Sequence, residues 1–191
     1  MAATLAIQEG NGSGPTWTTV TLGRFCLADL YNPGDQYPCV VPAGGFNYSY
    51  WKHFRLYLSG SFTKINNVRF YTSGNIKTNW ALGTGGAMLV CRRDSGPNGC
   101  PAGNYAQAHG SQGVSGTYVK DETNGHAYYK GQTVDPTDAD TYTSANPLLI
   151  DNNDYTSEGG TYAVVLQLKF ASDATQGEKP NESLTFLVDE I

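Results

Sequence analysis

The chain has 191 residues, 15% charged and 39% hydrophobic, with a formal net charge of −5. That balance excludes a protein that grips nucleic acid mainly through phosphates, which needs a broad basic face; the densest basic spots, Lys52–His53–Arg55 and Arg92–Arg93, are too small to make one. The 23 glycines and 13 tyrosines argue against helices and for short strands joined by tight turns.

The first residues, MAATLAIQEGNGSG, carry no basic leader and no apolar h-region, and no apolar run in the chain approaches the ~18 residues of a membrane-spanning helix. The expectation is a soluble chain made in a cytoplasm, with no membrane partner. Residues 3–8 alternate, with Leu5 and Ile7 on one face, and predict a strand ended by GNGSGP. Residues 17–22 are β-branched and predict a second; residues 25–31 fit a short strand or a loop. Pro33-Gly34 marks a turn, and Pro38 and Pro42 interrupt any ladder there.

Residues 52–71, KHFRLYLSGSFTKINNVRFY, predict two strands around a Ser-Gly-Ser turn. Phe54, Leu56 and Leu58 share one face of the first, and His53, Arg55 and Tyr57 the other. Each buried Phe, Leu or Val gains roughly 1.5–3 kcal/mol over exposure, so the register is firmly set and His53 reads as a surface strand position. In the second, Ile65, Val68 and Phe70 face inward. Residues 73–86 read as a loop that buries Trp80 as a plug, and residues 87–93 as a strand with Met88 and Val90 on one face.

From residue 101 the pattern changes. Residues 101–160 form a Gly- and Tyr-rich elaborated loop region, long enough to be functional by the usual rule. Within it, 116–120 and 126–130 fit two short strands joined by Asn124-Gly125, and 135–139 fits a single helical turn. Removal of 104–146 is expected to spare the fold. The chain then closes on two alternating segments: Tyr162, Val164, Leu166, Leu168 and Phe170, and after a polar loop Leu184, Phe186 and Val188. These elements predict an all-β fold, an antiparallel β-sandwich of jelly-roll type, as a single domain over 1–191.

The reactive side chains form no recognisable catalytic pattern. His53, His109 and His126 lie beside no nucleophile elbow, and HGSQG at 109–113 sits in a loop. The pairs Asp121/Glu122, Asp151/Asp154 and Asp189/Glu190 read as solvated carboxylates, and GTGG at 83–86 as a turn, not a phosphate loop. DPTDAD and DNND offer oxygen ligands but lack the spacing of a calcium loop, and Asx side chains of this kind usually cap turns. Three states are open to Cys26, Cys39, Cys91 and Cys100: free thiols, which a reducing compartment keeps; a Cys91–Cys100 disulfide across RRDSGPNG; or zinc, for which no CxxC or HxxxH spacing is present. The expectation is no enzyme, no cofactor and no metal site. Tyr105, Tyr118, Tyr128, Tyr129, Tyr142 and Tyr155 are the candidate interface: Tyr combines contact area with a hydroxyl and suits a protein partner or a sugar ring. The same rings could equally pack the insertion onto its own sandwich.

Two segments, YSYWKHFRLYLSGSFTKINNVRFYTSG and TYAVVLQLKFASDATQGEKPNESLTFLVDEI, resemble small virion structural proteins of tailed bacteriophages. The resemblance rests on strand and turn patterns and brings no functional residues with it. It implies a decoration or cement protein of the virion, or a neck or tail component, that bridges and stabilises capsid subunits. The implied partners are the major capsid protein or other virion proteins, and copies of the chain itself in a homo-oligomer such as a trimer. The alternative is a carbohydrate-binding jelly-roll module, supported by Trp51, Trp80 and the Tyr-rich loops.

Overall fold

A computed structural model describes residues 3–191. In chain order its elements are β1 (Ala3–Asn11), β2 (Thr16–Thr19), β3 (Phe46–Tyr48), β4 (Lys52–Gly60), β5 (Ile65–Thr72), a helical turn α1 (Ile76–Asn79) and β6 (Ala87–Val90). There follow β7 (Gly110–Ser111), β8 (Ser115–Gly116), β9 (Thr137–Asp138), β10 (Leu148–Asp151), β11 (Gly159–Gly160), β12 (Val164–Ala171) and β13 (Leu184–Glu190). The fold is all-β and its ladders are antiparallel, as the alternation predicts.

The larger, eight-stranded sheet runs β2-β1-β4-β12-β6-β9, with β11 pairing β4 and β3 pairing β12. A three-stranded sheet, β10-β5-β13, faces it. This order does not by itself make the expected jelly roll. The register follows the period of two: Leu5 stands opposite Leu58, Ile7 opposite Leu56, and Val164 opposite Phe54. Phe54, Leu56, Leu166 and Leu168 from the large sheet meet Ile65, Val68, Phe70 and Ile150 from the small one in a single core. Trp80 packs at its edge, half-buried, with its indole N–H donated to the carbonyl of Pro180 at 2.8 Å.

The outer face of the large sheet departs from expectation. It is not solvated. The stretch from Asn98 to Val134 folds across it and builds a second core, in which Ala108, Val119 and Tyr129 meet Trp51, Cys91, Cys100 and Val165. His53, predicted at the surface, is therefore buried. Alternation says only that the two faces of a strand differ, and here a polar face is roofed by the chain's own loop. The roof contains no hairpin at Asn124-Gly125: residues 121–130 form consecutive turns, and the short hairpin lies earlier, at β7 and β8. The expected helical turn is present slightly later, over Ala139–Thr141. The strand β10 lies inside the region expected to be loop.

Gln167 ties roof to sheet. Its amide donates to the carbonyls of Ser49 at 2.8 Å and Thr117 at 2.7 Å, and its carbonyl oxygen accepts from the amide of Val119 at 2.9 Å. Replacing it with an apolar isostere strands these buried groups. Gln167→Leu is expected to lower the unfolding free energy by about 2–4 kcal/mol, as read by urea denaturation.

The region 104–146 is thus not a dispensable excursion. Beyond the second core, it contributes Ala139 and Tyr142 to the first, and Asp140 caps α1 by accepting from the amides of Ile76 at 2.9 Å and Lys77 at 2.8 Å. These contacts argue against the expectation that its removal spares the fold.

Candidate functional site: a buried histidine–cysteine cluster

Three reactive side chains converge beneath the roof. His53 points from the outer face of β4, which is held between β1 and β12. Cys100 is fixed by a two-way backbone bridge to Ala163, with N···O distances of 2.7 and 2.9 Å. His126 follows Gly125 in the turn series, where its amide donates to the carbonyl of Val119 at 2.8 Å. One ligand-capable atom from each of the three lies within 4.8 Å of the other two, and all three residues are buried. The Nε2 atoms of His53 and His126 are 2.9 Å apart.

Aromatic rings close the site. Tyr105 lies over His53 with ring centroids 4.3 Å apart, and Tyr129 and Trp51 stand 5.0 and 5.7 Å from His126. Nδ1 of His126 accepts from the amide of Tyr128 at 3.2 Å, which leaves the proton of a neutral ring on Nε2. That N–H donates to Nε2 of His53, whose own proton then sits on Nδ1.

Burial dominates the electrostatics. It drives the His53 imidazolium well below its usual range, helped by the neighbouring His126 and the Lys52 ammonium. It also pushes His126 down to about 3. Burial raises the Cys100 thiol to about 12 and holds that of Cys91 well above the ordinary value, with Cys100 adding to the second effect. Left to itself the cluster is two neutral imidazoles and a protonated thiol.

The tyrosines expected at an interface make intramolecular contacts. Tyr129 is enclosed and donates its hydroxyl to the carbonyl of Asn98 at 2.7 Å. Tyr118 lies against Tyr48 at 5.0 Å, and Tyr128 sits beneath the guanidinium of Arg93. Tyr142 and Tyr155 pack on the first core, and the Tyr155 hydroxyl donates to Asp151 at 2.6 Å. All four cysteines are free thiols, so Cys91 and Cys100 share a core without a disulfide. The acidic loops serve as backbone caps: Asp151 accepts from the amides of Tyr162 at 2.8 Å and Asn153 at 2.9 Å. His109 is exposed on the β7–β8 hairpin.

Sequence reasoning missed the cluster because its signal is not local. The two histidines lie 73 positions apart, and His53 comes from β4 while Cys100 and His126 come from the roof. Spacing rules detect sites built on one loop or helix, and none applies here.

A second concavity of about 1070 Å³ opens between the ends of the two sheets, walled by Phe25, Trp80, Phe170 and Phe186, with Arg24 and Glu178 at its rim. No protein-family model, curated protein or solved structure matches the chain.

Proposed function

We propose that the chain is a non-enzymatic structural protein that docks on a larger protein assembly, as a capsid decoration or cement protein does. The observation that carries this reading is an exposed apolar patch held in place by a buried polar side chain. Asn47 donates through its one amide to the carbonyls of both Val40 and Val114, each at 3.0 Å. Those two residues and the adjacent Phe46 are 44%, 62% and 46% exposed. Scattered exposed apolar residues mean little, but we read Val40 and Val114, whose backbones are tied to one buried amide, and Phe46 beside it in β3 as parts of a contact surface. The ammonium of Lys169 lies 3.8 Å from the centre of the Phe46 ring, so the patch presents a cation beside its apolar surface. The matching partner is a protein face that is apolar with acidic neighbours. The edge strand β13, with Leu187 and Ile191 exposed, gives a second place where a neighbouring subunit can add a strand.

The test is density-gradient separation of particles from cells that make the protein. The chain is expected to band with particles, and Val114→Asp is expected to keep the wild-type circular dichroism while moving the chain to the soluble fractions. Wild-type protein found only in soluble fractions contradicts the reading.

The carbohydrate-binding alternative is favoured by the intersheet cleft, where aromatic walls meet a polar rim. Tyr128 and Tyr129 lie away from that cleft, so they do not report on it. A glycan array does: capture that is lost on Arg24→Ala combined with Glu178→Ala would favour the alternative.

A further inference from the structure

We propose that His53, His126 and Cys100 form a three-coordinate site for a thiophilic d10 cation, Cu+ or Zn2+. This stands independently of the assembly reading. The donor set is that of soft and borderline transition metals: two imidazole nitrogens and one sulfur. His53 is held by the β4 ladders and Cys100 by the Ala163 bridge, and His126 sits in a turn where its amide donates to the carbonyl of Val119. Such anchoring fixes the ligands before the ion arrives.

The separation of the two imidazole nitrogens is close to that of a loaded site, and the sulfur lies within 4.8 Å of both. Metal–nitrogen bonds of about 2.0–2.1 Å at trigonal or tetrahedral angles place two nitrogens about 3.3–3.6 Å apart. The histidines, at 2.9 Å, need only part slightly. In the ion-free state a proton occupies the place between them. On loading, that proton leaves Nε2 of His126 for Nδ1, and Nε2 gives its lone pair to the cation. The Nδ1 contact with the Tyr128 amide is then lost. The Cys100 thiol releases its proton to solvent and binds as thiolate. One proton leaves per cation and no electron moves.

Charge balance separates the two ions. Two neutral imidazoles and a thiolate carry one negative charge, which Cu+ neutralises and Zn2+ exceeds. A neutral centre is favoured in a closed, poorly polarisable site, and the neighbouring Lys52 ammonium is already paired with Glu9. The structure therefore favours Cu+. The rings of Tyr105, Trp51 and Tyr129 shield the centre from water and dioxygen.

The test uses the full chain, stripped with chelator under anaerobic, reducing conditions. It is titrated with Cu+ against bicinchoninate and, separately, with Zn2+ against a chromophoric chelator. The expected result is one equivalent bound per chain with one proton released. Cys39→Ser, outside the cluster, should keep this capacity. Cys100→Ser and His126→Asn should weaken it by at least about a hundredfold, beyond the usual effect of outer-shell changes. Should a variant fail to fold, wild-type protein still answers: X-ray absorption at the edge of the bound ion should show one sulfur and two imidazole nitrogens around it, and a shell without sulfur overturns the proposal. Capture of Zn2+ but not Cu+ upholds the site and refutes the charge argument. No stoichiometric capture of either ion, or full capture by folded Cys100→Ser, overturns the proposal.

Discussion

Deletion of residues 104–146 is expected to unfold the protein. The segment carries Val119 and Tyr129 of the second core and Ala139 and Tyr142 of the first, and its loss exposes Trp51 and Val165. At roughly 1.5–3 kcal/mol for each large apolar side chain, the lost burial amounts to about 7–15 kcal/mol. That equals the whole stability of a typical domain, about 5–15 kcal/mol. The shortened chain should show no cooperative thermal transition and should expose apolar surface to a reporter dye. A cooperative transition near that of the full chain would mean that the outer face of the large sheet needs no cover.

Lys52→Met is expected to be the most damaging single substitution, at about 3–5 kcal/mol. Lys52 and Glu9 are each 1% exposed and form an ion pair at one end of the inner face, where the ammonium also donates to the carbonyl of Leu30 at 2.7 Å. Removal of the cation leaves a buried carboxylate alone. The double variant Glu9→Gln/Lys52→Met removes both charges and should recover most of the loss, because a buried pair is worth little against neutral groups of similar volume. The pH dependence gives a further check. Burial already raises the Glu9 carboxyl above its ordinary value of 4.5, despite the opposing pull of Lys52. A raised folded value means stability that is full below 4.5 and declines as pH climbs through the folded value. Without Lys52 the carboxyl rises further, so the Lys52→Met penalty should be largest at neutral pH and shrink as the solution is acidified toward 4.5. A penalty independent of pH would show that Glu9 is not enclosed in that variant.

The strands were legible because burial on one face of a strand imprints a period of two, as in Phe54, Leu56 and Leu58 or Val164, Leu166 and Leu168. The roof was not legible. Its buried residues, Ala108, Val119 and Tyr129, fall in short clusters between glycines and turns with no period of two, and they share a core with Trp51 and Val165, which are distant in sequence. Its hydrogen bonds are of the same kind: Gln167 reaches Ser49, Thr117 and Val119, which no local pattern announces. The histidine–cysteine cluster inherits this property. It exists only because a loop folds onto a strand face, so the error on His53 and the failure to see the cluster have one cause. The tyrosines could be read from sequence as useful contact residues, but composition does not say whether a ring faces a partner or its own chain.

The 98–134 segment is packed structure that covers the outer sheet face around His53, Val165 and Gln167. Amide hydrogen exchange tests it most directly. The amides of Val119 and His126, bonded to Gln167 and to Val119, are predicted to exchange as slowly as those of β12, over hours at neutral pH. Exchange of both within seconds, while β12 stays protected, would contradict the account.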